Sequence, residues 1–287
     1  MLLFPNAKIN LGLHVVKKRP DGFHNIETLF YPIPLCDVLE IIQADQEDIE
    51  FTSSGLPIPG DAGSNLVMKA VNLMSDAGCR MPDAPLPLWG GVGGGVTAGI
   101  RIHLHKLIPM GAGLGGGSSD GAHTIKLLND LWKLGWTVSQ MQEVARQLGS
   151  DCAFFIENVP VLAAGRGDQF EPVDLDLSGY QIVVVIPPVP VSTQEAYAMI
   201  TPRKPERSLK EAIRLPVERW KEILINDFEE PVMKKHPVIR EMKEELYRQG
   251  AIYASMSGSG AAVYGIFSPQ SSVLSLQFDP SLKVFYC

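Results

Sequence analysis

The sequence contains few cysteines, and their arrangement would not hold a disulfide framework or a zinc ion. Cys36, Cys79, Cys152 and Cys287 lie far apart and form no C-x-x-C pair, whereas disulfide scaffolds and zinc knuckles use characteristic close spacings. No run approaches the ~20 consecutive apolar residues that cross a bilayer. We therefore expect reduced thiols, no metal bound by cysteine and a soluble protein.

Basic residues are outnumbered by acidic ones. The 287 residues carry a formal net charge of -7, so the chain has no basic field with which to gather nucleic acid. Its first residues also lack the basic segment and the long apolar core of a secretion signal. The sequence therefore predicts no nucleic-acid partner, no membrane attachment and a cytoplasmic location, and it leaves the oligomeric state open.

Strand and helix patterns are mixed along the chain, which indicates an α+β protein. Apolar residues alternate with polar or small ones in strands and recur every three or four residues in helices. The length favours two domains, which we place at residues 1–160 and 161–287. Predicted strands cover residues 8–16, 38–42, 100–104 and 182–186, and predicted helices cover 65–74, 118–134, 138–148, 192–200, 209–213 and 238–249.

Polar side chains are notable on the first predicted strand and just before the first predicted helix. The alternation over residues 8–16 places Lys8 and Asn10 on the polar face of a half-buried strand. Ser64 is a suitable N-cap for the helix over residues 65–74.

A glycine-rich segment before a helix is the most unusual part of the sequence. Residues 109–120 are PMGAGLGGGSSD. Closely spaced glycines let backbone N–H groups converge on an anion, and a helix N-terminus adds partial positive charge. Ser118 or Ser119 could cap the helix, and their hydroxyls could bond a phosphate oxygen or a water on magnesium. The segment predicts a phosphate-binding loop, the alternative being glycines that only permit tight packing.

Two other glycine motifs compete for this segment. Gly111, Gly113 and Gly116 match the G-x-G-x-x-G fingerprint of dinucleotide-binding proteins, which keeps an NAD(P)-dependent oxidoreductase as an alternative. That fingerprint needs an acidic residue about 20 residues later at the end of a second strand, and here that distance falls inside the predicted helix near Asp130. A Walker A loop is excluded because no Gly-Lys-Ser/Thr follows the glycines.

Three segments together resemble the motifs of the GHMP kinases. They are Lys8-Ile9-Asn10-Leu11, Pro109 to Ser119 and Met256 to Ala261. The blocks at residues 5–11, 21–24 and 27–30 are similar to the members that act on a cytidine diphosphate-linked methylerythritol. The glycine-rich stretch at residues 81–99 is not part of that pattern.

The resemblance implies a two-domain α+β kinase with its active site in the cleft between the domains. It implies transfer of the γ-phosphoryl group of ATP, with Mg2+, to the 2-hydroxyl of that substrate in the non-mevalonate route to isoprenoid precursors. A GHMP kinase of the homoserine or mevalonate type stays open as an alternative, as does a non-catalytic nucleotide sensor.

The resemblance also implies roles for individual residues. Asp151 would accept the hydroxyl proton, and Lys8 would keep that carboxylate ionised and stabilise charge on the reacting oxygen. The implied ATP-binding residues are Asn65, Pro109, Met110, Gly111, Ala112, Gly113, Leu114, Gly115, Gly116, Gly117, Ser118 and Ser119. The implied substrate-binding residues are Asn10, Phe23, His24, Thr193, Ser257 and Gly258.

No residue is assigned as a direct metal ligand. His103 and His105 share one face of a predicted strand. Two histidines without a third ligand more often face solvent than bind a metal.

Overall fold

The structure is a computed structural model, which describes residues 1–44, 48–78, 99–205 and 207–287. Its contacts divide the chain into two compact units. The first comprises Met1–Ala7, Cys36–Met110 and Gly115–Asn158, and the second comprises Lys8–Leu35, Gly111–Leu114 and Val159–Cys287. The domains at residues 1–160 and 161–287 stay a prediction, and the glycine-rich stretch at residues 90–95 lies outside the described residues.

Strands and helices are both present along the described chain, as the mixed sequence patterns predict. The strands are β1 (Leu2–Leu3), β2 (Asn6–Lys18), β3 (His24–Cys36), β4 (Val38–Gln43), β5 (Ile49–Gly55), β6 (Ile100–Lys106), β7 (Val161–Ala164), β8 (Gln169–Pro172), β9 (Gln181–Ile186), β10 (Tyr253–Met256), β11 (Val263–Phe267) and β12 (Lys283–Tyr286). The helices are α1 (Leu66–Gly78), α2 (Gly116–Leu131), α3 (Val138–Leu148), α4 (Phe154–Glu157), α5 (Thr193–Ala198), α6 (Leu209–Ala212), α7 (Glu229–Lys235) and α8 (Pro237–Arg248). The predicted strands are confirmed, and each predicted helix overlaps an observed one. In the described part of the chain, no helix is both long and apolar enough to cross a membrane.

The first unit contains a four-stranded sheet in the order β1-β4-β6-β5. β4 pairs antiparallel with β1 and β6, and β5 pairs parallel with β6. Helices α1 and α2 contact each other, and α2 contacts β4. These elements share a buried apolar core that includes Ile41, Ile102, Val71, Ile125 and Leu128.

The second unit contains two four-stranded sheets. Their orders are β2-β3-β7-β8 and β10-β11-β9-β12. β9 lies inside its sheet with Val183, Val184 and Val185 fully buried, as the run of β-branched residues predicts. α8 contacts β10 and β11.

The prediction that β2 is half-buried is wrong. Its residues from Asn6 to Val15 are all buried, including Lys8, Asn10 and His14 on the polar face. Alternation of polar and apolar residues shows that two faces differ in chemistry, but polar side chains that pair with each other can also face the interior.

The predicted cap of α1 is also wrong. The Asn65 side chain caps this helix, because its Oδ1 accepts from the Val67 N–H at 2.9 Å. The Ser64 hydroxyl instead donates to the Asp61 carbonyl oxygen at 2.7 Å within the preceding 3-10 turn. That turn shifts the start of the helix by one residue.

A glycine permits the close parallel pairing of β5 and β6. Gly55 has a φ of +81°, and a Cβ atom there would lie 2.3 Å from the carbonyl oxygen of Lys106. We expect Gly55→Ala to lower the free energy of unfolding by about 2 to 4 kcal/mol, since backbone strain adds to a clash with main-chain atoms. Urea unfolding measures this change.

Gly135→Ala is the matched control in the same unit. Gly135 has a φ of +67°, but nothing lies within 4 Å of the added Cβ atom. Gly135→Ala should therefore lower the free energy of unfolding by only about 1 kcal/mol. Equal losses in the two variants would show that β5 and β6 can separate without cost.

Candidate active site

The ammonium of Lys8 lies inside the second unit against defined acceptors. Lys8 is 4% exposed, and its Nζ donates to Asn10 Oδ1 at 2.6 Å and to the Gly113 carbonyl oxygen at 3.1 Å. The same nitrogen lies 4.9 Å from the centre of the Phe30 ring, whose π face attracts a cation. Lys8 is therefore a buried and oriented ammonium rather than a surface lysine.

Three segments that are far apart in the sequence meet around Asn10. The Asn10 N–H donates to Ser257 Oγ at 3.3 Å, and the Ser257 hydroxyl donates to the Gly113 carbonyl oxygen at 2.8 Å. The Tyr264 hydroxyl donates to the Asn10 carbonyl oxygen at 2.7 Å. The structure thus brings the predicted residues Lys8, Asn10, Gly113 and Ser257 together within the second unit.

The glycine loop approaches the turn after β10 closely at Gly113. Gly113 has a φ of +82°, and a Cβ atom there would lie 2.0 Å from the Ser257 carbonyl oxygen. The predicted site residue Gly258 also lies against this loop, since a Cβ atom on it would be in ordinary contact with the Gly113 Cα at 3.5 Å. The Lys8 N–H donates to the Leu114 carbonyl oxygen at 3.0 Å. Only glycine fits at position 113.

The far end of the loop begins α2 in the first unit, and the predicted serine cap of this helix is wrong. The N-cap is Gly115, with a φ of +71° and no side-chain cap hydrogen bond. The loop needs a left-handed residue at this point, so the helix starts before Ser118 and Ser119, and both fall in its first turn. No capping side chain bonds the first N–H groups of α2, as suits an anion site.

The two serines have different surroundings. Ser118 lies beside Cys152, and burial raises the pKa of the Cys152 thiol to about 12, so that thiol stays protonated. Ser119 is fully buried, and its carbonyl oxygen accepts from His123 Nδ1 at 2.9 Å. Burial lowers the pKa of His123 to about 4, with Lys126 adding repulsion.

An apolar surface adjoins the first turn of α2. The Met110 methyl group would lie 3.2 Å from a Cβ atom at Gly117, with a Leu66 methyl group at 4.0 Å. Met110 is 41% exposed. Asn65, which caps α1, directly precedes Leu66. The first-unit candidates for ATP binding therefore include both apolar and polar groups.

A buried cluster of charges anchors both ends of the glycine loop, and sequence reasoning missed it. The Lys106 ammonium at the end of β6 donates to the Asp37 carboxylate and, at 2.7 Å, to Asp120 in α2. Asp37 Oδ1 also accepts from the N–H groups of Leu107 and Ile108 at 2.6 and 2.8 Å. Burial raises the pKa of Asp120. The signal available in the sequence was that Lys106 falls on the apolar face of β6, in line with Ile100, Ile102 and Leu104.

Asp151 follows the glycine that ends α3. The Gly149 N–H bonds the Ala145 carbonyl oxygen at the end of this helix, and the Ser150 hydroxyl donates to Asp151 Oδ1 at 3.2 Å. Asp151 does not cap α4, whose N-cap is Ala153. Asp151 belongs to the first unit and Lys8 to the second, and their predicted cooperation stays a prediction.

The predicted base-binding residues Phe23 and His24 lie against a guanidinium and an aromatic ring respectively. Phe23 is 55% exposed, and the Arg166 guanidinium lies 5.3 Å from its ring centre. The His24 ring stacks on Tyr197 at 4.7 Å with an interplanar angle of 17°. Burial lowers the pKa of His24, as does the nearby charge of Lys18, so the imidazole is neutral at pH 7.

Tyr197 is a candidate that sequence reasoning missed. It lies one helical turn after the predicted residue Thr193 on α5, and its ring edge contacts Phe228 at 4.9 Å. The Thr193 hydroxyl lies 3.2 Å from the Ser259 hydroxyl. The spacing of four residues between Thr193 and Tyr197 was the available signal.

The histidines considered for a metal hydrogen-bond their neighbours on β5. His103 contacts the hydroxyls of Thr52 and Ser54 at 2.9 Å, and His105 contacts Ser54 at the same distance. Among the described residues, no three His, Cys, Asp or Glu side chains form a group that could hold a metal ion. Cys36, Cys152 and Cys287, which the structure describes, are not joined in a disulfide.

Comparison with protein families identifies the fold of this chain. Models of the GHMP kinases match the chain, the N-terminal domain over residues 65–158 and the C-terminal domain over residues 208–277. With its α+β architecture, the chain has the fold of a GHMP kinase. The predicted fold class is confirmed.

Individual relatives are more specific. A 4-diphosphocytidyl-2-C-methyl-D-erythritol kinase of Bacteroides thetaiotaomicron is 52% identical over 275 residues, which are 95% of this chain and 94% of the relative. The kinase of that name from Parabacteroides distasonis is 52% identical over 93% of this chain and 92% of its own. A solved structure of a 4-(cytidine 5'-diphospho)-2C-methyl-D-erythritol kinase is similar with a TM-score of 0.73 and 30% identity, covering 93% of this chain and 90% of that one. This chain belongs to the family of 4-diphosphocytidyl-2-C-methyl-D-erythritol kinases, as its motifs predict.

Two glycines of the loop should respond differently to alanine. Gly113→Ala should lower the thermal midpoint of unfolding by several degrees, because the new methyl group meets the Ser257 carbonyl. Gly111 has a φ of +70° with nothing within 4 Å, so Gly111→Ala keeps the backbone strain without the clash. Calorimetry without nucleotide compares them, and a larger loss for Gly111→Ala would contradict the packing of this loop.

The buried His123 should make stability depend on pH. Its pKa of about 4 lies below the ordinary 6.5, so the unfolded chain binds the extra proton and stability falls as pH drops from 6.5 toward 4. His123→Asn removes this contribution. We expect the stability difference between wild type and variant to shrink by about 2 kcal/mol between pH 8 and pH 5, as measured by urea unfolding. A pH-independent difference would mean that His123 has the same pKa in the folded and the unfolded chain.

Proposed function

We propose that this chain transfers the γ-phosphoryl group of ATP to the 2-hydroxyl of 4-diphosphocytidyl-2-C-methyl-D-erythritol. The observation that carries the proposal is the buried Lys8 ammonium in a chain of this family. It donates to Asn10 and to the Gly113 carbonyl oxygen, which also accepts from Ser257. The hydroxyl oxygen forms a bond to the γ-phosphorus, and the bond from that phosphorus to the ADP oxygen breaks. The hydroxyl proton goes to Asp151.

The glycine loop supplies backbone groups to the nucleotide phosphates. The first N–H groups of α2 have no side-chain cap, and their partial positive charge favours an anion. The apolar surface formed by Leu66 and Met110 suits the adenine ring, with Asn65 next to it. Catalysis then depends on positioning and charge neutralisation, as is usual in phosphoryl transfer.

Magnesium is part of the same proposal. Mg2+ usually keeps several waters and binds through phosphate oxygens and one or two protein groups. The Ser118 hydroxyl, in the first turn of α2, is an oxygen ligand of the type that fits such a site. The ion would neutralise charge on the transferred group.

The aromatic groups favour a substrate that carries a base. Phe23 offers an exposed ring, and Tyr197 lies against His24. Aromatic faces stack on a base, and a neutral imidazole can both donate to and accept from its edge. The alternative acceptors, homoserine and mevalonate, carry no base that these rings could bind. Membership of this kinase family excludes the alternative of an NAD(P)-dependent oxidoreductase. The cytoplasmic location stays a prediction from the sequence.

Substrate-dependent release of ADP tests the proposal. We expect turnover with 4-diphosphocytidyl-2-C-methyl-D-erythritol and Mg2+, and none with homoserine, mevalonate or galactose. Asp151→Asn should lower kcat by ~10²–10⁴ because proton transfer loses its acceptor. Lys8→Met should lower kcat to a similar extent through loss of charge stabilisation.

Asp130→Asn is the matched control, since Asp130 is exposed on α2 in the same unit as Asp151. It should keep wild-type turnover. Release of ADP with one of the other alcohols would contradict the proposed acceptor and identify that alcohol as the substrate. Full activity of Asp151→Asn would remove this residue as the base.

A further inference from the structure

We propose that Thr28 is a positioning residue that fixes the orientation of the Asn10 amide and, through it, the Lys8 ammonium. The catalytic part of this inference rests on the proposed function. Thr28 lies on β3, is fully buried and has no part in the roles assigned above.

Two hydrogen bonds define the surroundings of the Thr28 hydroxyl. It donates to the Gly12 carbonyl oxygen at 2.6 Å. Asn10 Nδ2 donates to the same hydroxyl oxygen at 2.9 Å. A chain of polar groups therefore runs from Gly12 through Thr28 and Asn10 to Lys8, all of it buried.

The proton count of this chain permits one orientation of the amide. A hydroxyl carries a single proton, and a carbonyl oxygen can only accept. The proton of Thr28 is therefore committed to Gly12, so the hydroxyl can only accept from Asn10. The NH2 group of Asn10 must face Thr28, and its Oδ1 must face Lys8.

This orientation determines the contact with the catalytic ammonium. Asn10 Oδ1 accepts from Lys8 Nζ at 2.6 Å. A reversed amide would place an NH2 group against an NH3⁺ group, where both can only donate. Without the Thr28 hydroxyl, the NH2 group of Asn10 loses the acceptor that holds it on the side away from Lys8. The hydroxyl thus acts on Lys8 across one intervening side chain.

Thr28→Val tests this role because valine keeps the branched shape and removes the hydroxyl. We expect kcat to fall roughly tenfold or more as Lys8 loses its position, while KM for ATP changes less than about twofold. Thr28→Ser keeps the hydroxyl and should stay within about twofold of wild type. Thr124→Val is the matched control, since Thr124 is also fully buried and its hydroxyl donates to the Asp120 carbonyl oxygen.

A double-mutant cycle separates positioning from stability. If Thr28 acts through Asn10, Thr28→Val should change kcat less than about twofold when Asn10 is already alanine. The same loss in both backgrounds would overturn the inference, as would wild-type kcat in Thr28→Val or a Thr28→Ser variant as impaired as the valine variant. Absence of turnover in the wild type would instead refute the proposed function.

The side-chain amide of Asn10 gives a readout that needs no activity. Its two N–H signals can be assigned in the protein without ligands by their loss in Asn10→Ala. We expect Thr28→Val to shift them and speed their exchange with water, and Thr28→Ser to leave them near their wild-type positions. Unchanged signals in Thr28→Val would refute the inference whatever the enzyme does.

Discussion

Strand β2 is buried on both faces, and this constraint shapes the second unit more than any other. A polar group inside a protein costs free energy unless it has a hydrogen-bonding partner. Lys8 and Asn10 find theirs at Gly113, Ser257 and Thr28. These partners come from the glycine loop, the turn after β10 and strand β3, so satisfying β2 also fixes the segments that carry the candidate site.

In the first unit, a buried polar group is stabilised by partners of opposite charge. Lys106 is fully buried between Asp37 and Asp120, and separating a buried ammonium from its carboxylates is costly because it leaves a charge unpaired. The two ends of the glycine loop are therefore held by groups outside the loop. A segment of glycines has no side chains with which to hold itself, so an anion site built from its N–H groups depends on such anchors.

Local patterns predicted most of the fold and the segments of the site, because periodicity and motif spacing lie within short stretches of chain. The partners could not be predicted in this way: Asp37 and Lys106 are 69 residues apart. The caps at Asn65 and Gly115 depend on backbone angles that serine propensity does not reveal. The burial of the polar face of β2 was not predicted, because alternation does not reveal whether a polar face contacts solvent or other polar groups of the protein.

The spacing of the glycines is compatible both with dinucleotide binding and with phosphoryl transfer from ATP, and the structure around them distinguishes the two. A dinucleotide fingerprint belongs to a βαβ unit, in which the strand after the helix pairs in parallel with the strand before the loop. Here β6 lies between β4 and β5, whereas β7, the strand that follows α2, pairs with β3 and β8 in another sheet. Gly113 accepts a buried ammonium on its carbonyl oxygen, and a cation held at the loop serves a reaction that develops negative charge. The strand pairing and the contact with Lys8 therefore favour the phosphate-binding loop of a kinase over the dinucleotide fingerprint.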